Sequence, residues 1–380
     1  LVPDDISTVL AEQKSQEGYS ETKPFPGNVR EDAGDDLRIG SLFAERYRIE
    51  TLLGRGGMGV VYRAQDETLG VTVALKFLPP KFLGNKNRVN RFLGEVRHAR
   101  EIAHPNVCRV YDVGEAEGRL FLSMEYIDGE DLSSLLLRIG RLPQEKAVDI
   151  AAQLCEGLGS LHENGMLHRD LKPANVMLDG RGRAKITDFG LTAIAEGVTG
   201  SDIKSGTPRY MSPEQLEGRE VSARSDIYSL GLVLYEVFTG RPAFDADSFE
   251  EYVRVHQEEQ ATAISQVVTD VDPTVERLVS RCIEKDPMNR PADAATIRLA
   301  LPGGDPLAAA IALGDTPSPE VVARAGGARL RPWIASLLLL VSLSGLWIES
   351  TNKGARSVVD HLDVRRAPAA QQERARTVLD

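Results

Sequence analysis

Short apolar runs broken by glycine turns mark the first third of the chain, an apolar helix start appears near residue 225, and one uncharged stretch lies close to the C-terminus. Leu52-Leu53-Gly54-Arg55-Gly56-Gly57-Met58-Gly59-Val60-Val61 reads as two short strands joined by a glycine turn. No helix start follows it, because Val60-Val61-Tyr62-Arg63-Ala64 continues as strand. Val73-Ala74-Leu75-Lys76 alternates as a second strand, and Leu120-Phe121-Leu122-Ser123-Met124-Glu125-Tyr126-Ile127 reads as a buried strand entering a turn at Asp128-Gly129. Arg91-Phe92-Leu93-Gly94-Glu95-Val96-Arg97 is a charged amphipathic segment that ends before His104-Pro105-Asn106. Ser225-Asp226-Ile227-Tyr228-Ser229-Leu230-Gly231 opens an apolar helix, and Asp286-Pro287-Met288-Asn289-Arg290-Pro291 closes the helical half.

Composition changes this picture at both ends. Residues 1–46 are polar and acidic with few aromatics, a composition expected to stay disordered. Residues 302–332 carry small residues and prolines and read as a linker. Residues 333–348 hold no charge and have Trp333 and Trp347 near their ends, where bilayer interfaces favour tryptophan. The stretch is short for a span, and a buried helix is the competing reading. No other apolar segment downstream could cover it, so it is expected to be a transmembrane helix. Arg324, Arg329 and Arg331 precede it and Lys353 and Arg356 follow, so charge alone leaves its orientation open. Residues 349–380 are then the start of an extracytoplasmic segment cut short. Three cysteines, Cys108, Cys155 and Cys282, without metal spacing argue against a disulfide framework. A formal charge of -11 with no basic stripe argues against a nucleic-acid partner.

The chemistry concentrates in His168-Arg169-Asp170-Leu171-Lys172-Pro173-Ala174-Asn175, followed by Asp188-Phe189-Gly190. A transferring phosphoryl group needs divalent cations fixed against its charge, and Mg²⁺ takes one or two hard protein oxygens while keeping phosphates and water. Asn175 and Asp188 supply such oxygens. Asp170, free of the metal, could orient an incoming hydroxyl and accept its proton.

This order resembles the eukaryotic-like, or Hanks-type, serine/threonine protein kinases, and with Gly57-Met58-Gly59 and Met211-Ser212-Pro213-Glu214-Gln215 it is most similar to their bacterial receptor-like transmembrane members. The resemblance implies an α+β bilobal kinase fold over residues 47–301, with a small β-rich lobe carrying one regulatory helix and a larger, mainly helical lobe. It implies ATP and Mg²⁺ as cofactors, with Mn²⁺ as an alternative. ATP would be held by Leu53, Gly54, Arg55, Gly56, Gly57, Met58, Gly59, Val61, Ala74, Lys76, Met124, Glu125, Ile127 and Met177. The main chain of Glu125 and Ile127 would bond the base. Lys76 would reach the phosphates and pair with Glu95 in the active state. Gly94 lowers helix propensity beside Glu95, so this helix is expected to be easily displaced.

Lys172 is the feature of members acting on serine and threonine, and Thr207 would bridge Asp170 and Lys172 when a protein substrate docks. Ser212 departs from the family's usual alanine. Thr199, Ser201 or Ser205 is expected to be autophosphorylated and to pair with Arg169, with Thr207 reserved for docking. Asp226 would brace the catalytic loop and Arg290 would pair with Glu214. Protein substrates and a homodimer are the implied partners. The expected placement is a single-pass protein of the cell membrane with the kinase half on the cytoplasmic side, where ATP is. Two rivals remain. A pseudokinase scaffold is disfavoured by the intact Lys76, Asp170, Asn175 and Asp188, and a small-molecule phosphotransferase by the Thr207 to Glu214 block and the Asp226 motif.

Overall fold

The computed structural model describes residues 37–56, 59–79, 86–189 and 208–305, together with Leu307 and Ala310. Gly57, Met58, Thr199, Ser201, Ser205 and Thr207, most of the linker, and the stretches 333–348 and 349–380 lie outside the described residues. Among those described, no helix is long and apolar enough to cross a membrane.

In chain order the smaller lobe contains β1 (Leu42–Phe43), β2 (Tyr47–Gly56), β3 (Gly59–Asp66), β4 (Val71–Phe77), helix α1 (Lys86–Glu101), β5 (Val110–Ala116) and β6 (Arg119–Glu125). The strands form one antiparallel sheet in the order β1-β2-β3-β4-β6-β5. Alternation sorts its residues onto two faces. Ala74, Leu122 and Met124 join the main core with Phe92 and Val96 of α1, whereas Phe43, Tyr47, Tyr62, Phe77 and Phe121 form a second cluster. Its rings meet edge to face, with Phe43 5.0 Å from Phe77 and 5.2 Å from Phe121 between centroids, the arrangement the ring quadrupoles favour.

The disordered lead expected over 1–46 needs correcting for residues 37–46. Phe43 is 1% exposed, and Arg46 donates Nη2 to Asp66 Oδ2 at 2.7 Å and Nε to Asp66 Oδ1 at 3.0 Å. An average taken over 46 residues hides a last stretch, Leu37 to Arg46, whose one aromatic completes the cluster.

The larger lobe follows with β7 (Gly129–Asp131), α2 (Leu132–Ile139), α3 (Gln144–Glu163), β8 (Val176–Asp179), β9 (Ala184–Ile186), α4 (Pro213–Leu216), α5 (Ala223–Thr239), α6 (Phe249–Glu258), α7 (Ile264–Val267), α8 (Pro273–Cys282) and α9 (Ala294–Ala300). β7, β8 and β9 make a small antiparallel sheet that carries the functional loops. Helix α5 is apolar on nearly every side and lies buried along most of its length, which makes it the axis of this lobe. At Gly231 a Cβ would stand 2.6 Å from the Cys282 Cβ, so only glycine lets α8 pack this closely. The main core is continuous from Ala74 in the small lobe to Leu301 after α9.

Candidate active site

The loop from His168 to Asn175 is held from beneath by Asp226 in the first turn of α5. One Asp226 oxygen accepts the His168 N–H at 2.8 Å and the other accepts the Arg169 N–H at 2.8 Å. His162 of α3 reaches the same carboxylate through Nε2 at 2.8 Å. Arg169 sits at φ 66°, a left-handed conformation costly for a residue with a Cβ, and the two charged bonds offset that strain. His168 is fully buried, which pushes its imidazole below its usual pKa and keeps it neutral. Its Nε2 lies 3.1 Å from the Thr187 carbonyl.

Asp170 then projects into a ring of donors. Lys172 Nζ is 2.8 Å from Asp170 Oδ2, and Asn175 Nδ2 donates to Oδ2 at 3.0 Å and to the Asp170 carbonyl at 2.7 Å. A carbonyl only accepts, so the nitrogen of the Asn175 amide must face Asp170 and its oxygen Oδ1 is turned away from it. Thr187 ties the two loops together, since its N–H and its hydroxyl both donate to the Asn175 carbonyl, at 2.8 and 3.1 Å. Asp188 follows at once, at φ 61°. Asn175 Oδ1 and the Asp188 carboxylate are therefore hard oxygens on neighbouring loops. This donor set suits Mg²⁺, which completes its shell with phosphate and water rather than with a closed protein cage.

At the opposite end, the β4 register sets Lys76 against Val61 on one side and Ala74 against Met124 on the other. Ala74 and Met124 are buried, Val61 and Ile127 pack partly buried beside them, and Met177 on β8 is half-buried. Gly59 has φ 120°, and a Cβ there would lie 1.8 Å from the Phe77 carbonyl oxygen, so this corner of the turn demands glycine. Leu53, Gly54, Arg55 and Gly56 are exposed. The Glu125 N–H is turned toward β5, donating to the Arg109 carbonyl at 2.8 Å, and the Glu125 side chain pairs with Lys185 at 3.0 Å. Of the two hinge positions, Ile127 is the one beyond the strand ladder.

The expected Lys76–Glu95 pair is replaced in this conformation. Lys76 is 4% exposed and its Nζ lies 2.8 Å from Asp188 Oδ1, while Glu95 stands 3.9 Å from Arg169 Nη1. A buried ammonium takes the carboxylate that can be brought into contact, and α1 places Glu95 nearer the catalytic loop than the β4 lysine.

Behind the site, Arg290 donates to both Glu214 oxygens at 2.7 and 3.0 Å, with the Ser225 hydroxyl at 2.6 Å. Burial alone would raise the Glu214 carboxyl, yet Arg290 and Ser225 hold it below its ordinary range. Sequence reading missed His162 and Gln215. The first gave no signal beyond helical spacing. The second is announced by Ser-x-x-Gln from Ser212 to Gln215, a capping-box pattern that the structure forms at the start of α4.

A small β lobe and a larger helical lobe meeting at these two loops define a protein kinase. Residues 47–299 match the protein kinase domain model, and the chain belongs to that family. It is similar to the serine/threonine-protein kinase pkn3 of Myxococcus xanthus, 37% identical over 71% of this chain and 52% of the relative. It is 39% identical to the serine/threonine-protein kinase PknB of Mycobacterium leprae over 67% of this chain and 42% of that protein. The chain thus spans about half, or less, of the length of these relatives. The crystal structure of the Mycobacterium tuberculosis PknI kinase domain matches with a TM-score of 0.57 and 28% identity, over 70% of this chain and 97% of that one.

Proposed function

We propose that this chain transfers the γ-phosphoryl of ATP to serine or threonine hydroxyls of proteins. The observation that carries the reading is the Asp170 carboxylate gripped by Lys172 and Asn175, on a loop tied through Thr187 to Asp188. Asp170 aligns the acceptor hydroxyl and takes its proton as the new O–P bond forms, while the bond from the γ-phosphorus to the β–γ bridging oxygen breaks and ADP leaves. Lys172, beside the reacting oxygens, offsets the charge that gathers there. Asn175 and Asp188 would hold Mg²⁺, which when bound draws charge from the phosphates. Lys76 reaches the α- and β-phosphates once it leaves Asp188, and Val61, Ala74, Met124, Ile127 and Met177 enclose the base. The choice of serine and threonine over tyrosine rests on Lys172 and on the printed names of the relatives.

The regulatory part of the reading is autophosphorylation at Thr199, Ser201 or Ser205, whose phosphate would draw Arg169 away from Glu95 by charge-assisted bonding. Residues 333–348 would anchor the chain in the cell membrane with the kinase half cytoplasmic, and pairing of two chains there would favour activation.

Incubation of the purified chain with labelled ATP, Mg²⁺ and a mixed peptide substrate tests this. Label should enter serine and threonine and vanish in Asp170→Asn, with loop sites identified by mass spectrometry. Transfer that persists in Asp170→Asn, or label confined to tyrosine, would refute the assignment.

A further inference from the structure

The peptide group that joins Arg169 to Asp170 helps decide where the base points, because its orientation sets ψ of Arg169 and φ of Asp170. Its N–H lies 3.3 Å from His168 Nδ1, inside the catalytic loop. Its carbonyl is held from a different part of the chain, where Gln215 Nε2 donates to Arg169 O at 2.7 Å. Gln215 is the first residue past Glu214, at the end of the block assigned to substrate docking.

The Gln215 amide is itself oriented. The Ser212 N–H donates to Gln215 Oε1 at 3.0 Å and the Ser212 hydroxyl lies 3.1 Å from the same oxygen. A backbone N–H only donates, so it must face the amide oxygen, which leaves the amide nitrogen aimed at Arg169. Ser212 is fully buried and caps α4, and its neighbour Glu214 is fixed by Arg290 and Ser225. The Ser212 N–H thus sets the direction of Gln215, and the hydroxyl of the serine that departs from the family's usual alanine adds a second bond to the same oxygen.

The geometry points to Ser212 and Gln215 as a positioning pair that couples the substrate-docking block to the catalytic base through the Arg169 carbonyl. This inference rests on the kinase reading above. The strained φ of Arg169 gives the pair its leverage. A left-handed residue relaxes when its peptide is released, and that relaxation swings the Asp170 carboxylate relative to Lys172 and Asn175. Neither residue touches the reacting atoms.

The experiment compares the wild-type chain with Ser212→Ala, Gln215→Met, the double variant and Gln215→Glu, measuring kcat, KM for ATP and KM for peptide, with melting temperature alongside. Gln215→Met should lower kcat about tenfold, the scale of one lost hydrogen bond expressed in the transition state, with KM for ATP within about twofold. Ser212→Ala should lower kcat less, because the Ser212 N–H still holds the amide. The double variant should match Gln215→Met, since without the glutamine the serine has nothing left to orient. An unchanged kcat in Gln215→Met, or effects that multiply in the double variant, would overturn the coupling. Should Gln215→Met fail to fold, Gln215→Glu decides. It keeps both Ser212 bonds and sets an acceptor oxygen against the Arg169 carbonyl in place of the donor, so wild-type kcat there would overturn it equally. Amide exchange at Arg169 and Asp170 reads the clamp without turnover. It should quicken in Gln215→Glu, and unchanged exchange counts against the pair even if the chain transfers no phosphate. Failure of the wild type to label any peptide counts instead against the kinase reading.

Discussion

The two ends of the cleft are held by different physics. At the catalytic loop, Asp226 collects the His168 and Arg169 amides and His162 at 2.8 Å each, from a site 1% exposed. Burial makes the loss of those bonds expensive. At the nucleotide end, Lys76, Asp188, Glu95 and Arg169 are two cations and two carboxylates paired as Lys76–Asp188 and Arg169–Glu95. Exchange of partners would conserve the charge balance, and the variants below measure what it costs. One end of the site is a fixed frame. The other is a set of ion pairs, Lys76–Asp188 and Arg169–Glu95, at more exposed carboxylates.

Removing the frame should have the largest effect. In Asp226→Asn, one oxygen becomes an NH₂ that faces backbone donors, and Arg169 loses support for its left-handed backbone. Stability should fall by about 3 kcal/mol, the scale of hydrogen bonds to a buried charge. Because Asp170 is released with the loop, kcat should drop by about a hundredfold or more. Urea unfolding and peptide turnover check the two values, and turnover near wild type would show that α5 does not set the loop.

Acidity attacks the frame from behind. His256 on α6 is fully buried, with Tyr228 Oη 2.9 Å from its Nδ1, the Phe244 ring 4.9 Å away and Lys285 over that ring. Burial, with the Lys285 charge adding to it, pushes its pKa down to about 3. The unfolded chain therefore binds this proton first as pH falls. Stability from His256 is complete above about 6.5 and is lost at about 1.4 kcal/mol per pH unit until the folded imidazole titrates near 3. His256→Gln keeps a polar partner for Tyr228 and removes the titration, so its stability should decline less between pH 6.5 and 4. Parallel acid limbs for the two proteins would assign the loss to other groups, first among them His168, whose buried imidazole is likewise held below its usual range.

Glu95→Gln tests the exchangeable end and should separate stability from turnover. The Arg169–Glu95 contact is long and both side chains are about a quarter exposed, so stability should change by no more than about 0.5 kcal/mol. If Glu95 must move to Lys76 when ATP is bound, kcat should nonetheless fall about tenfold. Equal turnover would mean that Lys76 keeps Asp188 as its partner throughout.

This contrast also explains what the sequence made legible. Strands, the glycine turn and the two functional loops are local patterns, and each is readable because neighbouring residues carry the whole signal. The frame is legible in part, since the Asp226 and Arg290 motifs are local while their bonds are long-range. Gln215 meets a carbonyl 46 residues away, and nothing in its spacing names that partner. The partner of Lys76 escapes the sequence for a different reason. Which carboxylate answers a buried ammonium depends on the placement of α1, a choice that residue identity does not make. Phe43 is lost to averaging, because one aromatic in a polar lead becomes structural only against Phe77 and Phe121.

The smallest expected effect on turnover is the sharpest test of how α1 changes partners. Gly94 precedes Glu95 inside α1, and a Cβ built there meets nothing within 4 Å. Gly94→Ala should therefore stabilise the helix by about 0.5–1 kcal/mol through propensity and a less flexible unfolded chain, its new methyl group facing open space. That corresponds to a rise in melting temperature of about 1–4 °C for a domain of this size, and to slower amide exchange from Phe92 to Ala99. Two mechanisms for the Glu95 exchange then separate. If α1 swings as a rigid body, stiffening it leaves kcat within about twofold of wild type. If the helix must unwind at residue 94 to carry Glu95 from Arg169 to Lys76, the same stabilisation opposes the step and kcat falls by several-fold. Slower exchange with unchanged turnover would identify α1 as a lever rather than a latch, and place the control of the exchangeable end in whatever competes for Arg169.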